Sequence, residues 1–147
     1  MTRASSASKL RRLSRADRAL LAEAVVCLAL ARAAVLALPF RVIAARLGKR
    51  MAETPAAGPA GDTPVRVRWA IDAAARRTPW RSKCLEQAIA GKWMLRRRGI
   101  ASTMYLGVVH NPFEAHAWLR VGRMNVTGGS RVDRYAVVAT FAEAGGS

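Results

Sequence analysis

The chain has 147 residues, 52% of them hydrophobic, and a formal net charge of +16. That length suits one domain with a helical appendage, and that apolar content excludes intrinsic disorder. The charge predicts attraction to polyanions (nucleic acid, an anionic membrane surface or an acidic polypeptide) without choosing among them, and two isolated cysteines exclude a disulfide framework and favour a reducing cytoplasm.

Residues 1–13 are rich in Ser and Arg and read as a frayed arm. Ser14 is placed as an N-cap, with Asp17 three residues on, opening a helix that runs to about Leu38. Arg15, Arg18, Ala22, Ala29 and Arg32 share one narrow side while Leu and Val cover the rest, so the helix is expected to be buried on most sides. Between Ala19 and Phe40, Glu23 and Arg32 leave no charge-free run of ten residues. A membrane span needs about 20 apolar residues, and the same charges break the apolar stretch of a signal peptide. Pro39 ends or kinks the helix, and a shorter one follows through Val42 to Arg46.

Residues 51–63, MAETPAAGPAGDT, have Pro and Gly without apolar periodicity and read as a linker. The expected division is therefore a helical region over 1–50, a linker over 51–63 and a core over 64–147. Thr63 and Pro64 read as the N-cap and first position of a helix ending near Arg77, with Val65, Val67, Trp69, Ala70, Ile71 and Ala74 as its apolar residues. After a turn at Thr78-Pro79, a third helix runs from about Ser82 to about Arg98 and buries Leu85, Ala88, Ile89, Trp93 and Leu95. Gly99 caps it, behind Arg96, Arg97 and Arg98, which suit the negative end of the helix dipole. Most of the basic residues, these three among them, are expected on solvated faces.

From Ser102 the pattern changes to strands. Ser102 to Val109 is rich in β-formers, His110 to Phe113 is a turn, and Glu114 to Val121 alternates, with Ala115, Ala117 and Leu119 on one face and His116, Trp118 and Arg120 on the other. Gly122-Arg123 turns the chain into Met124 to Thr127, residues 128–130 loop out, and Tyr135 to Phe141 is the last strand. Helices followed by an antiparallel sheet define an α+β fold.

Two residues carry the chemistry. Cys84 lies in the first turn of the third helix, where unpaired backbone N–H groups favour a thiolate, and His116 lies on a strand, able to accept and return its proton. Cys27, among Val25, Val26, Leu28 and Ala29, is a packing residue, and His110 sits in a turn. No Cys-x-x-Cys or His-x-x-x-His spacing joins Cys84, His110 and His116 into a metal site, so neither metal nor cofactor is expected. The alternative is a basic nucleic-acid-binding module without catalysis. Against it, aromatic residues make up only 6% and are not interleaved with the basic ones, as a stacking platform requires.

A helix with an N-terminal Cys followed by a strand carrying His-Ala-Trp resembles the core of the transglutaminase-like, papain-related cysteine enzymes. Taken together, RLSRADRALLAEA, LPFRVIAARLG, TPWRSKCLEQAIAGKWMLRRRGIASTMYLGV, EAHAWLRV and VTGG are similar to the leader peptidase of lasso-peptide biosynthesis, in its stand-alone form without a leader-recognising domain. The resemblance implies N-terminal helices plus a transglutaminase/papain-like core whose Cys helix packs on an antiparallel sheet. It implies cleavage of a ribosomally made precursor at the leader–core junction, with Cys84 as nucleophile and His116 as base, then acid. The implied partners are the precursor peptide, a separate leader-binding recognition protein and an ATP-dependent macrolactam synthetase. The first helix is left to dock on the catalytic domain, on a partner or weakly on a membrane surface.

One departure stands out. The family pattern has an Asp on the strand after the His, orienting the imidazole. With a two-residue turn at Gly122-Arg123, His116 is expected opposite Gly129, with Thr127 diagonal to it and Asn125 farther along the same face. Asp133 would have to fold back. The third member is thus absent, Thr127, or a backbone carbonyl. Backbone N–H groups at the helix start, that of Cys84 among them, are the expected oxyanion donors; Gln87 is a candidate additional donor, with an exposed polar position the favoured reading.

Overall fold

The computed structural model describes residues 13–55, 61–78, 83–110, 112–129 and 132–143. The helices are α1 (Arg15–Ala37), α2 (Phe40–Ala45), α3 (Thr63–Arg77) and α4 (Cys84–Arg97); the strands are β1 (Lys49–Arg50), β2 (Thr103–Val109), β3 (Glu114–Val121), β4 (Met124–Thr127) and β5 (Ala136–Ala142). The strands form one antiparallel sheet in the order β1-β5-β2-β3-β4. The fold is α+β, as expected. The Ser/Arg arm over 1–12, residues 56–60 of the Pro/Gly-rich linker and the expected helix start at Ser82 lie outside the described residues.

Each boundary has a local cause. Ser14 caps α1, its hydroxyl accepting from the Asp17 N–H at 3.1 Å. Asp17 pairs with Arg66 at 3.0 Å, tying the start of α1 to α3. α3 begins one residue earlier than the Pro64 rule suggests, with Asp62 as its N-cap. α4 ends in a Schellman motif: Gly99, at φ 71, lets Ile100 N–H reach Leu95 O while its own N–H reaches Arg96 O.

The helices cover one face of the sheet. α4 lies on β3 and β4, α3 touches β4, and α1 packs on α3 and α4. Leu20, Leu21, Ala24, Cys27, Leu28 and Ala31 of α1 enter the same core as Ile71, Ile89 and Met94 of the other helices and Met104, Leu119, Val126 and Phe141 of the sheet. Residues of 1–50 and of 64–147 thus share one core. α1 is buried along one stripe rather than on most sides; Val26, Leu30 and Leu36 are exposed. By length and composition alone α1 could cross a membrane, but here that stripe is packed against protein. α4, by contrast, is buried nearly all round. Glu86, Ala90, Gly91, Lys92 and Met94 join the expected Ala88, Ile89 and Leu95 inside.

The arginines at the end of α4 stay exposed and still act as clamps. Arg97 and Arg98 pair with Glu23 of α1 at 2.6 and 2.7 Å. Arg96 pairs with Glu143 at 3.2 Å and donates to Arg46 O at 2.7 Å. Lys92 is fully buried; its ammonium donates to Ser102 O at 2.7 Å and to Glu143 at 3.0 Å, pinning the end of β5 to α4. Burial holds the Lys92 ammonium below its ordinary range, against the pull of Glu143.

Candidate active site

Cys84 is the first residue of α4, following Lys83 at the N-cap. The Lys83 N–H is taken by the Glu86 carboxylate at 3.1 Å, and the buried Glu86 also pairs with Arg32 of α1 at 3.5 Å. The start of α4 is therefore held from two sides. Cys84 itself is half-buried, whereas Cys27 is buried in the core, where desolvation pushes its thiol up. Gln87 is half-buried rather than exposed, with its backbone N–H on Lys83 O.

His116 lies on β3 with its face set by the pleat. Ala117, Leu119 and Val121 point into the core under the helices, while His116, Trp118 and Arg120 take the opposite face. That face carries an aromatic row. Tyr105 stacks on Trp118 at 5.3 Å, His116 lies 5.9 Å from Trp118, and Tyr135 stacks on His116 at 4.9 Å. Arg120 closes the row, its Nε donating to the Tyr105 hydroxyl at 2.8 Å. Gly107 makes the row fit. It pairs with His116 across the ladder, and a Cβ there would meet the Tyr135 Cβ at 2.8 Å and the Trp118 ring at 2.9 Å.

The hydrogen-bond partner of the imidazole corrects the expected register. Val121 does pair with Met124, but the ladder slips between Leu119 and Arg120, so Leu119 faces Thr127. His116 therefore does not fall opposite Gly129. Thr127 is buried beneath α4, its methyl 3.4 Å from where a Gly91 Cβ would be. Asn125 pairs with Arg120. Asp133 sits exposed in the 3-10 turn Val132–Arg134. What meets the ring is the backbone: His116 Nε2 lies 2.8 Å from Gly128 O. Gly128 has φ 95 and lies against Trp118, where a Cβ would come within 2.3 Å of the Trp118 Cβ. Only glycine allows this turn of the chain, and the turn delivers the carbonyl.

A carbonyl oxygen only accepts, so Nε2 carries the hydrogen and the neutral ring keeps its lone pair on Nδ1. Among the described residues no hydrogen bond joins the Cys84 thiol to the imidazole. Tyr135 is their common neighbour, stacking on His116 and lying within electrostatic range of Cys84. Desolvation pushes the Tyr135 phenol up, and the Glu114 and Cys84 charges add to this while Arg134 opposes it. Arg134 lies 5.1 Å over the Tyr135 ring and pairs with Glu114 at 2.8 Å. The sequence reading assigned Tyr135 only as a strand former. The isolated Gly107 in a β-rich run was the signal of a close approach there. His110 is exposed in the turn after β2 and packs on Phe113. No group of three His, Cys, Asp or Glu residues that could hold a metal ion occurs among the described residues.

A helix opening on a cysteine is thus laid on an antiparallel sheet whose second long strand carries a histidine anchored by a backbone carbonyl. The chain belongs to the transglutaminase-like superfamily, whose family model matches residues 27–140, more than half of its length. That superfamily includes cysteine peptidases. No curated protein and no solved structure matches the chain.

Proposed function

We propose that the protein is a cysteine peptidase that removes the leader from a ribosomally made lasso-peptide precursor. The observation that carries the catalytic part is the Gly128 carbonyl on His116 Nε2, because it leaves Nδ1 as the nitrogen able to take a thiol proton. Cys84 is the nucleophile. Its thiolate attacks the carbonyl carbon of the last leader residue, the C–N bond breaks, and His116 gives its proton to the leaving amine. Water then hydrolyses the thioester, with His116 taking its proton. Free N–H groups in the first turn of α4 stabilise the oxyanion. The mechanism requires the Cys84 thiol to meet His116 Nδ1 when substrate is bound.

The specificity for a lasso precursor rests on the sequence resemblance over the Cys-Leu helix, Arg-Arg-Gly-Ile and His-Ala-Trp-Leu. The same resemblance supplies a leader-binding protein and a macrolactam synthetase as partners, in the cytoplasm. The protein is incubated with a lasso-precursor peptide and the products are weighed by mass spectrometry. One cut at the leader–core junction, lost in Cys84→Ala, is the expected result. Undiminished cleavage by Cys84→Ala would remove the thiol from the mechanism.

A further inference from the structure

The outer edge of β5 is covered for only part of its length. Lys49 and Arg50 pair with Ala142 and Phe141, and Met51 N–H reaches Thr140 O at 2.7 Å. There the chain turns away through Met51 at φ 64, the only described non-glycine residue with positive φ. Among the described residues no strand pairs with the outer edge of Ala136, Val137, Val138 and Ala139. Val137 and Val138 are 48% and 54% exposed. Open edges are ordinarily blunted by charge or proline, and this one has neither.

Beside the edge lies a groove of about 630 Å³ between α2 and the sheet. Phe40, Leu106, Val138 and Phe141 give it an apolar floor, and Arg41 and Arg50 line it too. Both arginines are exposed, and neither has a carboxylate partner among the described residues. The edge starts at the site, since Ala136 directly follows Tyr135, whose ring stacks on His116.

We propose that the substrate peptide docks here as an added strand on β5, antiparallel to it, through the residues preceding the scissile bond. This rests on the peptidase reading above. Main-chain hydrogen bonds hold such a strand and alternate side chains select it. Every second residue is apolar and enters the Phe40–Phe141 groove, and acidic residues meet Arg41 and Arg50. The antiparallel direction, the commoner one, sends the C-terminal end of the docked segment toward Tyr135 and His116. His116, Gly107 and Val137 stand in one row across the sheet. At about 4.8 Å per strand the added strand lies roughly 14 Å from β3, which about four extended residues span. The docked segment thus ends about four residues before the cleaved bond. The charge argues for a peptide over a second copy of the chain: two molecules of net charge +16 would bring like-charged arginines together at a shared edge.

The test uses full-length Cys84→Ala protein and a fluorescein-labelled ten-residue peptide alternating valine with glutamate. Anisotropy should report binding that weakens at least tenfold when alternate backbone amides of the peptide are N-methylated, and at least tenfold in the variant with Arg41→Glu and Arg50→Glu. Both arginines are exposed, so that variant should melt as the parent does. In otherwise wild-type protein the same two changes should raise KM for the precursor and leave kcat within about twofold. Equal binding of the methylated peptide, or an unchanged KM, overturns the docking proposal while leaving the peptidase intact. Specific peptide binding without cleavage of any precursor overturns the peptidase reading and keeps the edge as a peptide site. A dimer in light scattering that Val138→Pro converts to monomer would assign the edge to a second copy and overturn the proposal.

Discussion

At the scale of the residue, position separates the two cysteines and the two histidines. Cys84→Ala should abolish cleavage with an unchanged circular dichroism spectrum, because the half-buried thiol at the start of α4 has little packing to lose. Cys27→Ala should keep activity and lose on the order of 1 kcal/mol of stability, as a small buried side chain does. His116→Ala should be inactive and His110→Ala close to normal, since the latter touches only Phe113 among the described rings. A dead His110→Ala would contradict the site. Gly107→Ala carries a sharper test. Its methyl would press on Tyr135 and Trp118 at 2.8 and 2.9 Å, so the row holding the imidazole must shift. Cleavage should drop at least tenfold in kcat while the protein still folds. Much of this was legible in the sequence: alternation alone put His116, Trp118 and Arg120 on one face. Tyr135 was not, because its ring reaches His116 only through the space that Gly107 leaves on the strand between them.

At the scale of the element, the bulge in the β3–β4 hairpin decides which group holds the imidazole. A regular two-residue turn gives the right pairing for Val121 and Met124, and the sequence reading carried that register on to Gly129. The slip skips Val126, which has no partner on β3, an irregularity that letter patterns do not fix. With the Gly128 carbonyl on Nε2, the proposed mechanism calls on no carboxylate. Asp133→Ala should keep more than about a tenth of the activity, since an orienting contact of about 1 kcal/mol is worth roughly fivefold in rate. A thousandfold loss with the fold intact would show Asp133 completing an ordinary triad. The anchor of β5 makes a second element-scale prediction. Burial disfavours the Glu143 carboxylate, but the Ser102 N–H and Lys92 outweigh it, so its folded value lies below the ordinary 4.5. A depressed carboxylate contributes stability that is present above its unfolded value and is lost as pH falls through the folded one. Melting temperature should therefore decline below about pH 4.5, and Glu143→Gln should be less stable at neutral pH and show a shallower decline. A parallel pH profile in the variant would take Glu143 out of the acid transition. No sequence pattern announced this anchor; Lys92 looks like any helix lysine until Ser102 and Glu143, remote in the chain, close over it.

At the scale of the whole molecule, α1 is a core helix on one side and an apolar surface on the other. Leu21 and Leu28 face inward, at 8% and 0% exposure, whereas Val26 and Leu30, one turn apart, are each 56% exposed. An apolar stripe left in water beside a packed stripe marks a surface for association, and we propose the leader-binding protein of the proposed function as the partner that covers it. A partner that holds the leader raises the local concentration of the scissile bond, as a tethered second site does. Cleavage of the precursor should then be slow with this protein alone and at least tenfold faster with the leader-binding protein added. Changing Val26 and Leu30 together to Asp should erase most of that stimulation while leaving the unassisted rate and the melting temperature nearly unchanged, since both positions are on the surface. Leu28→Asp is the contrasting control: an unpaired carboxylate in the core should prevent folding. Equal rates with and without the partner would remove it from the mechanism. Full stimulation of a folded Val26→Asp, Leu30→Asp protein would move the contact off α1, and loss of vesicle binding in that variant with stimulation intact would assign the stripe to a membrane surface instead.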